Sequence, residues 1–267
     1  MAEPSAHEFF GHWDERLVTT AIHAGHELLP AVARLLLVDA RARRREEDPF
    51  TELIAERASG SRVVVHRSRF EVDLNRPRAR AIYRTPDEAW RLPVWDGREL
   101  DAKLVSGSLT VYDRFYAELG ERLDRLAGGG PFVVYDVHAY NHRRGGPGAS
   151  ASPAAGNPEA TVGTGTLHPR FRPVVTAFMA AIASSPAAGT LDVRENIRFR
   201  GGELARWVHQ RYPAIGCVLA VDFKKTFMDE WTGEPDLDRV AALSDALAGT
   251  RAPVLSALAG LPSAGVA

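Results

Sequence analysis

Cysteine is nearly missing from this chain. The single thiol, Cys217, lies in the apolar run from Ile215 to Val221, so no internal disulfide can form and the residue reads as core. An excess of one charge is missing too. The 33 Lys and Arg against 34 Asp and Glu leave a net charge of −1, which argues against nucleic acid or an anionic membrane as the main partner. The most basic run, Arg41 to Arg45, is answered at once by Glu46, Glu47 and Asp48 and reads as a solvated helix face. No apolar run is long enough to span a bilayer. The opening residues, Met1 to Arg16, lack the basic and apolar regions of a signal peptide. A cytoplasmic location away from membranes is the expectation, and no internal repeat of fixed period is found.

What is present fits an α/β protein. The 267 residues are 45% apolar and 25% charged, and no linker separates two parts, so one domain over residues 1–267 is expected. Strands are predicted at 17–22, 62–67, 132–137, 160–167 and 215–221, with an extended stretch at 189–199. A helix is predicted from Leu28 through Leu37, with Pro30 in its first turn, continuing over Arg41 to Glu47 until Asp48-Pro49 breaks it. Further helices are expected at 51–57, 106–126, 173–182, 203–212, 238–247 and 252–258. Residues 84–101, with Pro86, Pro93 and Gly97, read as a loop. Strands alternating with helices predict a three-layer α/β fold: a mostly parallel or mixed sheet covered by helices on both faces.

Three of these strands, and the mixed apolar and polar stretch 68–77, end in polar clusters. They are His23/His26/Glu27, Asp73/Asn75/Arg76, Asp136/His138/Asn141/His142/Arg143 and Asp222/Lys224/Lys225. Ionisable groups delivered at strand ends are how open α/β sheets build sites. Two ligands from one tight turn and a third from a distant strand suit a divalent metal, with a position left for water. His23 with His26 or Glu27 supplies the pair, and His138 the third ligand. Asp136 shares a strand face with His138 and is placed to fix that ring's tautomer. Asn75 and Arg76 offer a fork of donors for a carboxylate.

The segments HAGHELLP, SRFEVDLNRP, REEDPFT, DVHAYNHRR and DFKKTFMDEWTG, spread over roughly residues 17–245, resemble the N-formylglutamate amidohydrolase family. That family is similar in turn to the zinc carboxypeptidase and aspartoacylase group. The resemblance implies a zinc-exopeptidase-like fold, a zinc ion, a place in histidine degradation, and a small acidic N-acyl amino acid as substrate. N-formyl-L-glutamate, split to formate and L-glutamate, is the first choice. It matches His23 to the first ligand, His138 to the distant ligand, and Asn75 and Arg76 to the carboxylate-binding pair. Asp222 stands where a general-base Glu is expected, and Arg143 is assigned a second carboxylate or the developing oxyanion. The sequence departs from the HxxE pattern, with His26 at the acid position and Glu27 one residue later, so both stay candidate ligands. A deacylase or carboxypeptidase for another N-acyl amino acid or peptide, and a non-catalytic binder of metal and acidic metabolites, remain open alternatives. Oligomeric state is not legible.

Overall fold

The computed structural model describes residues 5–96 and 100–262. Met1 to Pro4 of the N-terminal segment and Gly97 of the expected 84–101 loop lie outside them. In chain order the elements begin with β1 (His7–Phe10), β2 (Leu17–Ala21), α1 (Pro30–Ala33), α2 (Ala40–Glu46), α3 (Thr51–Glu56) and β3 (Arg62–Val65). They continue with α4 (Ala102–Gly128), β4 (Phe132–Tyr140), β5 (Ala160–Gly163), α5 (Arg172–Ala183), β6 (Val193–Glu195), α6 (Glu203–Arg211), β7 (Gly216–Lys224), α7 (Leu237–Gly249) and α8 (Arg251–Ala259).

The seven strands form one mixed sheet in the order β1-β3-β2-β4-β7-β5-β6. Strands β3, β2, β4 and β7 run parallel, while β1 and β5 are antiparallel to their inner neighbours. Alternation along β4 and β7 sends side chains to two cores. Val133, Tyr135, Val137, Cys217, Leu219 and Val221 pack with α3, α5, α7 and α8. Val134 and Val218 pack with α4 and α6 on the opposite face. Helices on both faces of one sheet make three layers, as the element pattern predicts. No helix among the described residues is long and apolar enough to cross a membrane.

Three expectations are corrected. The long helix from Leu28 is instead two short ones, because Asp39 starts a new helix by accepting a hydrogen bond from Ala42 N at 2.7 Å. Leu35 and Leu37 between them are exposed rather than buried on a helix face. Glu46, Glu47 and Asp48 are buried, not solvated. The N-terminal strand β1 carries no strong apolar alternation and escapes a pattern search.

The topology puts a crevice at one place. From β2 the chain goes on to β3 on one side, and from β4 to β5 on the other, so the connections leaving the carboxyl ends of these neighbouring strands run apart. Such switch points are where open α/β sheets bind ligands.

Candidate active site

His23 follows β2 at this crevice, and His138 lies near the end of β4. The chain then returns to them through the turn between α2 and α3. There Asp48 N donates to His23 O at 2.9 Å, and Thr51 Oγ1 donates to Asp48 O at 2.6 Å. Lys225, just beyond β7, reaches under the same turn and donates from Nζ to the carbonyls of Arg45 and Glu47, each at 2.6 Å. Asp48 is therefore fixed against both histidines. One ligand atom from each of His23, Asp48 and His138 lies within 4.8 Å of the others, and all three residues are buried.

The second ring nitrogens explain the orientation. His23 Nε2 donates to Asp73 Oδ1 at 2.7 Å. His138 Nε2 lies 3.0 Å from Asp136 Oδ2, on the strand face expected from the sequence. Each carboxylate is itself anchored. Asp73 accepts from Arg69, Tyr83 and the Asn75 amide, and Asp136 accepts from Thr20 Oγ1 at 2.6 Å. With His23 Nε2 held by Asp73 and His138 Nε2 close to Asp136, both Nδ1 atoms turn toward Asp48, at 3.5 Å from His23 and 3.2 Å from His138. His23 Nδ1 is buried and makes no hydrogen bond among the described residues. An unspent buried nitrogen aimed at a carboxylate and a second imidazole is a fit for a divalent cation. Two nitrogens and one oxygen suit zinc, with room for a further ligand. Carboxylates behind both imidazoles are the usual outer support of such a centre.

The electrostatics agree with that geometry. Burial disfavours the charged form of Asp48, but His138 and His23 outweigh it and hold its carboxyl far below the ordinary range. Burial likewise opposes charge on Asp73, and Arg69 and His23 overcome it. For His138, burial works against protonation, yet the carboxylates of Asp136, Asp48 and Asp222 raise its pKa. Asp222 differs. It lies beside His138 in the β4–β7 register, and burial, with Asp48 and Asp136 adding repulsion, pushes it up to about 7 against the pull of His138. Its carboxylate takes no hydrogen bond from any described residue.

These groups open into a cleft of about 200 Å³ whose walls include Arg69, Asn75, Trp90, Arg144, Phe199 and Arg200. That is below the roughly 300 Å³ at which pockets for drug-sized ligands begin.

The structure does not bring every expected residue here. His26 and Glu27 are exposed. Gly25 packs so closely on strand β3 that a Cβ there would sit 2.1 Å from the His66 carbonyl. The chain then pairs Glu27 with Arg67, carrying His26 and Glu27 outward. Arg76 donates to Glu88 O at 2.6 Å and stacks 4.5 Å from the Tyr83 ring, outside the cleft lining. Arg143 donates to Asp229 Oδ2 at 2.5 Å, and its neighbour Arg144 lines the cleft instead. Asn75 does line it, with Nδ2 3.3 Å from His138 Nε2. Sequence reasoning missed Asp48. Its only signal is an acid in the Asp-Pro break after α2, within the REEDPFT segment.

Two histidines and an aspartate, backed by carboxylates, thus come together at the switch point of a three-layer α/β fold. The sequence matches the N-formylglutamate amidohydrolase family over residues 15–224, and the chain belongs to that family. Among solved structures it is similar to the N-formylglutamate amidohydrolase of Ralstonia eutropha JMP134, at TM-score 0.77 and 15% identity. That match covers 97% of this chain and 100% of that one. The gene product Atu2144 of Agrobacterium tumefaciens matches at TM-score 0.64 and 15% identity, over 95% of this chain and 96% of that one. At such identity these likenesses bear on the fold. No curated protein sequence matches the chain.

Proposed function

We propose that the protein hydrolyses the amide of an N-acylated acidic amino acid, with N-formyl-L-glutamate as first substrate and a divalent cation, zinc by its donor set, as cofactor. The observation that carries this reading is the buried His23–Asp48–His138 cluster with Asp222 free beside it, in a chain of this family. His23 and His138 through Nδ1, and Asp48 through its carboxylate, would hold the cation. Bound there, it would polarise the formyl carbonyl and acidify a water molecule.

The chain's own groups do the rest. Asp222 takes a proton from the attacking water as oxygen adds to the formyl carbon. It then delivers that proton to the departing nitrogen as the carbon–nitrogen bond breaks, leaving formate and the free amino acid. A carboxylate pushed up toward neutrality is suited to both steps, and a cation at the cluster would draw its pKa down somewhat. Arg69 is a cation on the cleft wall whose guanidinium is immobilised by Asp73 at 2.8 Å and Tyr83 at 3.0 Å. A fixed donor of that kind stabilises the developing oxyanion without reorganising.

The test is formate release from N-formyl-L-glutamate by the full chain, stripped with chelator and then reloaded with zinc or another divalent ion. Turnover should vanish on stripping and return on loading. Asp222→Asn should keep its metal while kcat and kcat/KM fall together, on the order of 10²- to 10⁴-fold. An Asp222→Asn variant with undiminished kcat would remove the base from this scheme.

A further inference from the structure

An N-acylated acidic amino acid carries two carboxylates, and neither Arg76 nor Arg143 lines the cleft. Four basic side chains besides histidine line the cleft: Arg69, Arg144, Arg200 and Lys225. Arg69 is committed to Asp73 and Tyr83. The Lys225 ammonium is buried against two main-chain carbonyls. Arg144 lies 3.6 Å from Glu46 Oε2. Arg200 alone has neither an ion pair nor a side-chain hydrogen bond among the described residues, and it is exposed at the mouth.

Its backbone, by contrast, is fixed. Arg200 O accepts a hydrogen bond from Gly165 N at 2.8 Å. Gly201 follows at φ +97°, a turn that a side chain would strain. Gly202 lies so close to Asn75 that a Cβ there would stand 2.2 Å from its Oδ1. The first amides of α6 then close on the same residue, Glu203 N on Asn75 O and Leu204 N on Asn75 Oδ1, each at 3.1 Å. Asn75 in turn touches His138. A rigid turn thus sets the root of Arg200 relative to the cluster while leaving its guanidinium unspent. Phe199, packed edge-on to Tyr140 with ring centres 5.9 Å apart, gives the mouth an apolar wall beside it.

Resting on the hydrolase reading above, we propose that Arg200 binds the side-chain carboxylate of the substrate and makes the site selective for acidic N-acyl amino acids. The reacting amide must lie at the buried end, where His138 and Asp222 are. The substrate's far end then reaches the exposed mouth, and a methylene chain lies against Phe199.

The experiment compares wild type, Arg200→Gln and Arg200→Lys, all zinc-loaded and matched in melting temperature, on three substrates. N-formyl-glutamate has both carboxylates, N-formyl-glutamine lacks the side-chain one, and N-formyl-isoglutamine lacks the α one. Arg200→Gln should raise KM about 10- to 100-fold for N-formyl-glutamate and N-formyl-isoglutamine, the loss of one charged hydrogen-bonded contact, with little change in kcat. KM for N-formyl-glutamine should stay within about twofold, because that contact is already missing. Arg200→Lys should recover part of the loss. Equal losses on all three substrates, or a loss that follows the α-carboxylate, would overturn the assignment while hydrolysis by the wild type stands. Absence of turnover by loaded wild type on every substrate overturns the hydrolase reading, and this assignment with it.

Discussion

Asp48 shows what a single buried acid does here. Its carboxylate faces two imidazole nitrogens whose opposite sides are already held by Asp73 and Asp136. The cluster presents three candidate ligand atoms from three separate segments. Removing the anionic charge of this oxygen donor should therefore cost metal. Asp48→Asn is expected to lose stoichiometric zinc by elemental analysis while staying folded. His26→Ala, at the surface, should keep it. Full zinc in Asp48→Asn together with loss in His26→Ala would return the second ligand to the turn after β2. Asp48 was hard to read from sequence because four arginines, Arg41, Arg43, Arg44 and Arg45, precede the acids, and acids following such a run ordinarily balance a solvated face. Asp136 was easier: residues two apart on a strand share a face, so its place behind His138 follows from local geometry alone.

At the scale of elements, α6 and β7 are joined by a neutral histidine. His209 Nε2 accepts a hydrogen bond from Val218 N at 3.0 Å, and Nδ1 lies 2.8 Å from Thr166 Oγ1. Burial lowers its pKa from 6.5 to about 4. In the unfolded chain the ring takes a proton near 6.5, while in the folded chain it resists until about 4. Its contribution is thus intact above about 6.5 and drains away as the pH falls from there toward 4, by up to roughly 3 kcal/mol. His209→Gln keeps an acceptor without the titration. Urea unfolding should show a shallower loss of stability between these pH values in that variant than in wild type. Identical slopes would mean that other groups dominate acid destabilisation. The elements themselves were largely legible. The amphipathic pattern within 106–126 marks α4, and apolar runs mark β4 and β7. The helix after Pro30 was overextended because Leu35 to Leu37 are apolar without being buried. Strand ends were also misjudged, since β7 continues through Asp222 to Lys224.

For the whole molecule, the two cores share the central strands. Leu17, Val133 and Cys217 face one, and Val18, Val134 and Val218 face the other. Neither helical layer can leave without exposing a face of the same strands. We propose that residues 1–267 behave as one domain and unfold in one transition, with calorimetric and van't Hoff enthalpies equal. Two resolved transitions would divide the chain into independent units. The same sharing makes Cys217 inert, since burial pushes its thiol pKa up.

The sequence by itself determined the α/β class, the central strand, and His23 and His138 as residues delivered to one end of the sheet. Those features depend on periodicities of two and 3.6 and on where apolar runs stop, which are local. The tertiary structure alone decided that Asp48 joins them, that His26 and Glu27 face outward, and that Arg200 lines the cleft while Arg76 and Arg143 do not. Each depends on contacts between distant segments: Lys225 under the α2–α3 turn, Gly25 against His66, and Gly202 against Asn75. Such contacts leave no period in the chain, because they are fixed by how separate elements pack rather than by the residues beside them.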